Sequence, residues 1–147
     1  MKNFISLLIA IGLTLIGITA SAESNWVTDY EKARVAAKAG KKLMLLDFTG
    51  SDWCGWCMKL DKEVFSTPAF QNYASKNLIL VKLDFPRKRP QTEALKKQNL
   101  QLAQKYDIQG FPTIIVLNGQ GEKLGELGYM EGGPSSFLAK LETLPKS

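Results

Sequence analysis

The chain has no histidine and only two cysteines among its 147 residues. A structural zinc site needs four cysteine or histidine ligands, so a closed zinc site within one chain is excluded. Haem attachment through Cys-x-x-Cys needs histidine at the next position; position 58 is Met58, which excludes that reading too. A framework of structural disulfides has little to build on, because Cys54 and Cys57 lie within four residues and so short a loop removes little chain entropy. Strong charge of either sign is also missing: 19 Lys and Arg against 14 Asp and Glu give +5. The basic excess gathers at Lys82, Arg87, Lys88, Arg89, Lys96 and Lys97, too short a run for a nucleic-acid footprint. It reads as a solvated face, with attraction of anionic partners as the alternative.

What is present suits one globular domain: 45% hydrophobic residues, 22% charged, and no repeat or low-complexity segment after Ala22. Residues 1–22 are set aside as a signal peptide. Lys2 precedes an apolar run from Phe4 to Ile18, and Ala20-Ser21-Ala22 marks a cleavage site. An uncleaved anchor is the competing reading, near the lower length limit for spanning a bilayer. Without Lys2 the remaining chain carries 18 basic and 14 acidic residues, a net charge of +4. The domain proper is expected over 23–147, periplasmic or secreted.

Periodicity predicts a helix from Trp26 to Ala39, with Trp26, Tyr30, Ala33 and Ala37 on one face and Gly40 as its stop. The run from Lys42 to Phe48 reads as a central strand covered on both faces, broken by one charge, Asp47. Helical spacing resumes from Cys54 to Phe65 and again from Pro68 to Lys76, the second capped by Thr67. Leu78 to Asp84 is a second buried strand. Pro86 to Asn99 is expected to be a basic loop with a short helix from Gln91, followed by a helix from Leu100 to Tyr106. Thr113 to Leu117 and Glu122 to Gly128 form a hairpin about Asn118-Gly119, and a last helix runs from Pro134 to Leu144. The order predicts an α/β fold: a central mixed sheet, with parallel and antiparallel pairs, flanked by helices on both faces.

The two cysteines fall at the junction of the first long strand with a helix. A cysteine at a helix start lies beside unpaired backbone N–H groups that favour thiolate over thiol. In Cys-x-x-Cys settings the thiol pKa falls from ~8.5 to between ~3.5 and ~7.5. Three residues on, the helix returns to the same face, so the sulfurs can pair. Cys54 is then expected to be the exposed attacker and Cys57 the shielded resolver of a mixed disulfide. An inert disulfide, a zinc site bridging two chains, or Cu(I) held by Cys54, Cys57 and Met58 remain as alternatives.

Trp53-Cys54-Gly55-Trp56-Cys57 after Leu46-Asp47-Phe48, with Gly110-Phe111-Pro112-Thr113 downstream, resembles the thioredoxin superfamily, in particular its small exported bacterial members. The resemblance spans Trp26 to Leu144 and implies a thioredoxin-like fold. It further implies that Pro112 is a cis-proline packed against the active-site disulfide, and that the backbone at Phe111 pairs with substrate. Asp47 matches the buried carboxylate that helps deprotonate the resolving cysteine, and Lys82 the lysine paired with it. Trp53, Trp56 and Phe111 then surround the sulfur with apolar surface for extended polypeptide, and Gly55 supports the turn. From the residues alone, Pro112 also fits an ordinary strand entry, Asp47 a hydrated strand end, and Trp53 the core. Trp56 stands where thioredoxin has proline, Asp47 lies one residue farther from Cys54, and 86–99 reads as an insertion.

These observations point to a thiol-disulfide oxidoreductase acting on protein thiols and disulfides outside the cytoplasm, as a reductase or isomerase. It needs a redox partner to recycle the pair, no cofactor, no metal and no nucleic acid, and a membrane only if the leader is retained. The alternative is a client-binding module that the cysteine pair merely gates.

Overall fold

Three apolar runs become the middle of a five-stranded sheet because side chains on both of their faces are buried. The computed structural model describes residues 25–145, so the expected signal peptide, 1–22, lies outside the described residues. The elements are β1 (Trp26–Val27), α1 (Tyr30–Gly40), β2 (Leu43–Thr49), α2 (Gly55–Leu60), a π-helical turn (Asp61–Phe65), α3 (Pro68–Asn77), β3 (Leu78–Asp84), α4 (Glu93–Lys105), β4 (Thr113–Leu117), β5 (Lys123–Leu127) and α5 (Gly133–Glu142).

The strand order is β1-β3-β2-β4-β5. β1, β3 and β2 run parallel, whereas β4 is antiparallel to both β2 and β5. Alternation along the central strands divides the core in two. Leu45, Leu80, Ile114 and Val116 face a layer containing Leu60, Phe65, Phe70 and Phe137, from α2, the π turn, α3 and α5. Met44, Leu46, Phe48, Val81, Ile115 and Leu117 face Tyr30, Ala33, Ala37, Leu102 and Tyr106, from α1 and α4. Burying each large apolar side chain is worth roughly 1.5–3 kcal/mol, so this double coverage fixes the register of the middle strands. The same alternation puts Asp47 on the α2 face, beneath the cysteines.

Four expectations are corrected. Trp26 does not begin α1: with Val27 it forms an edge strand whose partners are Leu80 and Val81, and the helix starts after Asp29, whose carboxylate accepts from the Lys32 N–H. Gly40 is the last helical residue, and Lys41 makes the left-handed turn (φ 51°). The expected loop is present over 86–92, but the two separate helices expected after it are one helix, α4, starting at Glu93 behind the Thr92 cap. Finally, the helix expected from Cys54 to Phe65 changes winding at Asp61, where the Ser66 N–H reaches back five residues to the Asp61 carbonyl.

Candidate active site

β2 ends at Thr49, and the chain turns back through Gly50: the N–H groups of Trp53 and Cys54 both donate to its carbonyl, at 3.2 and 2.8 Å. This turn sets Cys54 as the N-cap of α2 (φ −88°, ψ 107°), with the Cys57 N–H donating to the Cys54 Sγ at 3.2 Å. Cys54 and Cys57 are joined as a disulfide, Cα atoms 5.3 Å apart. The expected contrast in exposure is absent from this disulfide-bonded form, in which Cys54 is 7% and Cys57 5% exposed. The asymmetry is instead in what surrounds them: the Cys54 sulfur receives a backbone donor, and such a donor favours a thiolate.

Cys57 shares a cavity of about 130 Å³ with Asp47, Asp61, Lys82, Thr49, Ser51 and Met58. Asp47 is 5% exposed, and its Oδ1 accepts no hydrogen bond. Burial pushes its carboxyl up to about 7, reinforced by the charges of Asp61 and Asp84 and opposed by Lys82. Lys82 is its register partner across β2 and β3. Among the described residues no ion pair joins the two within 4.0 Å; the Lys82 ammonium lies 5.6 Å from the Trp26 ring centroid instead. A group that ionises near neutral pH, in a cavity with room for water and open to Cys57, is suited to accepting and returning a proton.

The two tryptophans of the motif go to different places. Trp53 is half-buried: its Nε1 donates to the Phe85 carbonyl at 2.8 Å, its ring meets Phe111 edge-on at 5.9 Å, and the Arg87 guanidinium covers it at 3.7 Å. A Cβ on Gly50 would collide with the indole, so the turn must have glycine there. Trp56 is 58% exposed and rests on Tyr129 at 5.1 Å, with the Lys59 ammonium near both rings. Pro112 follows a cis peptide bond and precedes Thr113, the partner of Phe48. Phe111 and Pro112 therefore lie where β2 hands the chain to the cysteine loop. Gly55 opens α2 with open space around its Cα.

The sequence did not reveal how this loop is held. Asp52 accepts from the backbone N–H groups of Arg87, Lys88 and Arg89 at 3.0, 2.8 and 3.1 Å; these donors, Arg87 foremost, hold its carboxyl below the usual range. Asp84 accepts from the Ser51 N–H at 2.9 Å and its hydroxyl at 2.5 Å, while Arg89 reaches both Ser51 and Asp84. Buried Asn99 donates to the Asp84 carbonyl at 2.9 Å, tying α4 to the same point. The one signal in the sequence was Asp84 itself, an acid at the carboxyl end of the strand beside β2, where sites in α/β sheets gather.

A sequence family described as a thioredoxin-like domain matches residues 30–145. The chain belongs to the thioredoxin-like family. It is 32% identical over 127 residues to the disulfide bond reductase DsbH of Chlamydia pneumoniae, covering 86% of this chain and 76% of that protein. Thioredoxin-related protein DsbJ of the same organism is 30% identical over 141 residues, covering 94% of this chain but 40% of DsbJ. The solved structure of a DsbH oxidoreductase superposes with a TM-score of 0.76 at 31% identity, over 91% of this chain and 94% of that one. This thioredoxin-like chain is thus a homologue of Dsb thiol-disulfide oxidoreductases, with its cysteine pair at Cys54 and Cys57.

Proposed function

We propose that the chain reduces or isomerises disulfides of proteins outside the cytoplasm. The observation that carries this reading is the Cys54–Cys57 disulfide at the start of α2, with Cys57 opening on the Asp47 cavity. In the reduced protein the Cys54 thiolate attacks one sulfur of a substrate disulfide and forms a mixed disulfide, and the other substrate sulfur leaves as a thiolate that takes a proton from water. Cys57 passes its proton to Asp47 and attacks the Cys54 Sγ, so the second substrate thiol departs and the protein keeps the disulfide. A recycling dithiol partner must then return two electrons and two protons, one proton to Cys57 and the other, because Cys54 rests as a thiolate, to solvent. Phe111 and Pro112 shape docking of an extended segment, with Trp56 as its exposed apolar contact; Trp53 holds Phe111 in place, Lys82 tempers Asp47, and Gly55 keeps the helix start open.

Export is part of the proposal and rests on the leader from Lys2 to Ala22. An exported protein beginning at Glu23 supports it; a chain retaining Met1 in the membrane contradicts it. Among the described residues no helix is long and apolar enough to cross a membrane.

The test is insulin reduction with dithiothreitol, in which Cys54→Ser should abolish activity, and surviving activity would show that the nucleophile is misassigned. Exposed Trp56 and Met58 also fit a redox-gated client module, at 58% and 46% exposure. That second reading requires client binding by a variant lacking both cysteines, with little wild-type turnover. Equilibration with glutathione fixes the direction: a potential near ~ −270 mV marks a reductase and one near ~ −120 mV an oxidant.

A further inference from the structure

The loop from Pro86 to Pro90 carries three consecutive cations, and the structure brings it against the turn that holds Cys54. Asp52, two residues before Cys54, gathers the backbone N–H groups of all three, so its own negative charge faces the loop backbone. Arg89 is matched with Asp84 at 3.6 Å, and Asp84 in turn holds Ser51. Arg87 and Lys88 remain: both are exposed, and among the described residues neither side-chain cation pairs with a carboxylate within 4.0 Å. The Arg87 guanidinium carbon sits over the ring of Trp53, the chain neighbour of Cys54, 3.7 Å from its centroid, and the Trp53 ring in turn meets Phe111 at 5.9 Å. Stacking uses the face of a guanidinium and leaves its in-plane N–H donors directed outward, the geometry that takes a carboxylate bidentately.

We propose that Arg87 and Lys88 form a cationic rim that selects disulfide-bearing polypeptides with acidic residues flanking the reactive cysteine. This deepens the oxidoreductase reading of the same site and rests on it. A solvated basic face needs no fixed position, whereas this loop is fastened by three hydrogen bonds to the cysteine turn and by a ring stack beside the expected docking edge. A polypeptide whose cysteine reaches Cys54 comes beside Trp53 and the Arg87 guanidinium over it, with Lys88 the next residue on the same fastened loop. A nucleic acid or lipid surface gains nothing from adjacency to the sulfurs, which is why the polypeptide is the occupant argued for.

The experiment compares kcat/KM for three otherwise identical disulfide-looped peptides whose cysteines are flanked by two Glu, two Gln or two Lys, using the full mature chain. Two surface charge pairs are expected to favour the Glu peptide over the Lys peptide about tenfold at low salt, and the ratio should shrink as ionic strength rises. Arg87→Gln with Lys88→Gln should bring that ratio near one, and Arg87→Glu with Lys88→Glu should invert it. Any uniform effect of the substitutions on turnover cancels in the ratio. An active wild type with equal kcat/KM for all three peptides overturns the inference alone. A wild type that turns over none of them overturns the oxidoreductase reading and this inference together. Equal peptide rates with co-sedimentation on phosphatidylglycerol vesicles would reassign the rim to a membrane surface.

Discussion

Trp53 and Trp56 flank the same cysteine in a nearly symmetric motif, yet the first is a structural pin and the second an open surface. Trp53 lies on the turn, where its indole has a backbone acceptor, an aromatic neighbour and a cation upon it. Trp56 lies one residue into α2, on the helix side turned to solvent, with the Tyr129 ring and the Lys59 ammonium beside it. Residue type alone does not make a binding aromatic; the element that carries it decides whether the ring is used up by the fold.

Substitutions at the two tryptophans and around them should differ widely in effect. The largest expected effect lies at Asp47, in the cavity it shares with Cys57, where the carboxyl is raised to about 7 from an ordinary 3.8. The folded state therefore holds a proton that the unfolded chain has lost, between those two values. The contribution of Asp47 to stability is greatest below that window, falls as pH rises through it, and is level above it; the drop is on the order of 4 kcal/mol. Asp47→Asn should remove this slope in urea unfolding followed from pH 4 to 8. An unchanged slope would show that Asp47 is not the buried acid responsible.

Next, Trp53→Ala should cost about 2–3 kcal/mol in the same assay, from lost packing and the orphaned Phe85 carbonyl. If it costs no more than Trp56→Ala, the contrast between pin and surface collapses. Gly50→Ala should cost about 1–3 kcal/mol by forcing the indole aside, whereas Gly55→Ala, with open space around it, should be neutral or stabilising by ~0.5 kcal/mol. The smallest stability effect belongs to Trp56→Ala, within about 0.5 kcal/mol, but it should raise KM for a disulfide-bonded protein roughly fivefold with little change in kcat.

The central strands were legible in the sequence because burial on both faces leaves continuous apolar runs, Leu43 to Phe48 and Thr113 to Leu117. The cysteine pair was legible through its spacing and its place between strand and helix. Other parts carry no local signal. A two-residue edge strand has no period, so Trp26 was absorbed into the spacing of α1. In α4 the buried stripe passes through Asn99, between Leu95 and Leu102, and this polar residue hides the helical pattern that would have joined the two pieces. The Asp52 contacts span 35 to 37 residues and involve backbone donors, which no residue pattern announces. Lys82 was placed beside Asp47 as expected, but its ammonium turns to the Trp26 ring rather than closing an ion pair.

If Cys54 attacks and Cys57 resolves, the mixed disulfide can be trapped on Cys54. Cys57→Ser, reduced and mixed with a disulfide-looped peptide, should accumulate a covalent adduct through Cys54, visible by mass and released by dithiothreitol. Cys54→Ser under the same conditions should give none. An adduct that forms through Cys57 in the Cys54→Ser protein, with none in the Cys57→Ser protein, would contradict the account.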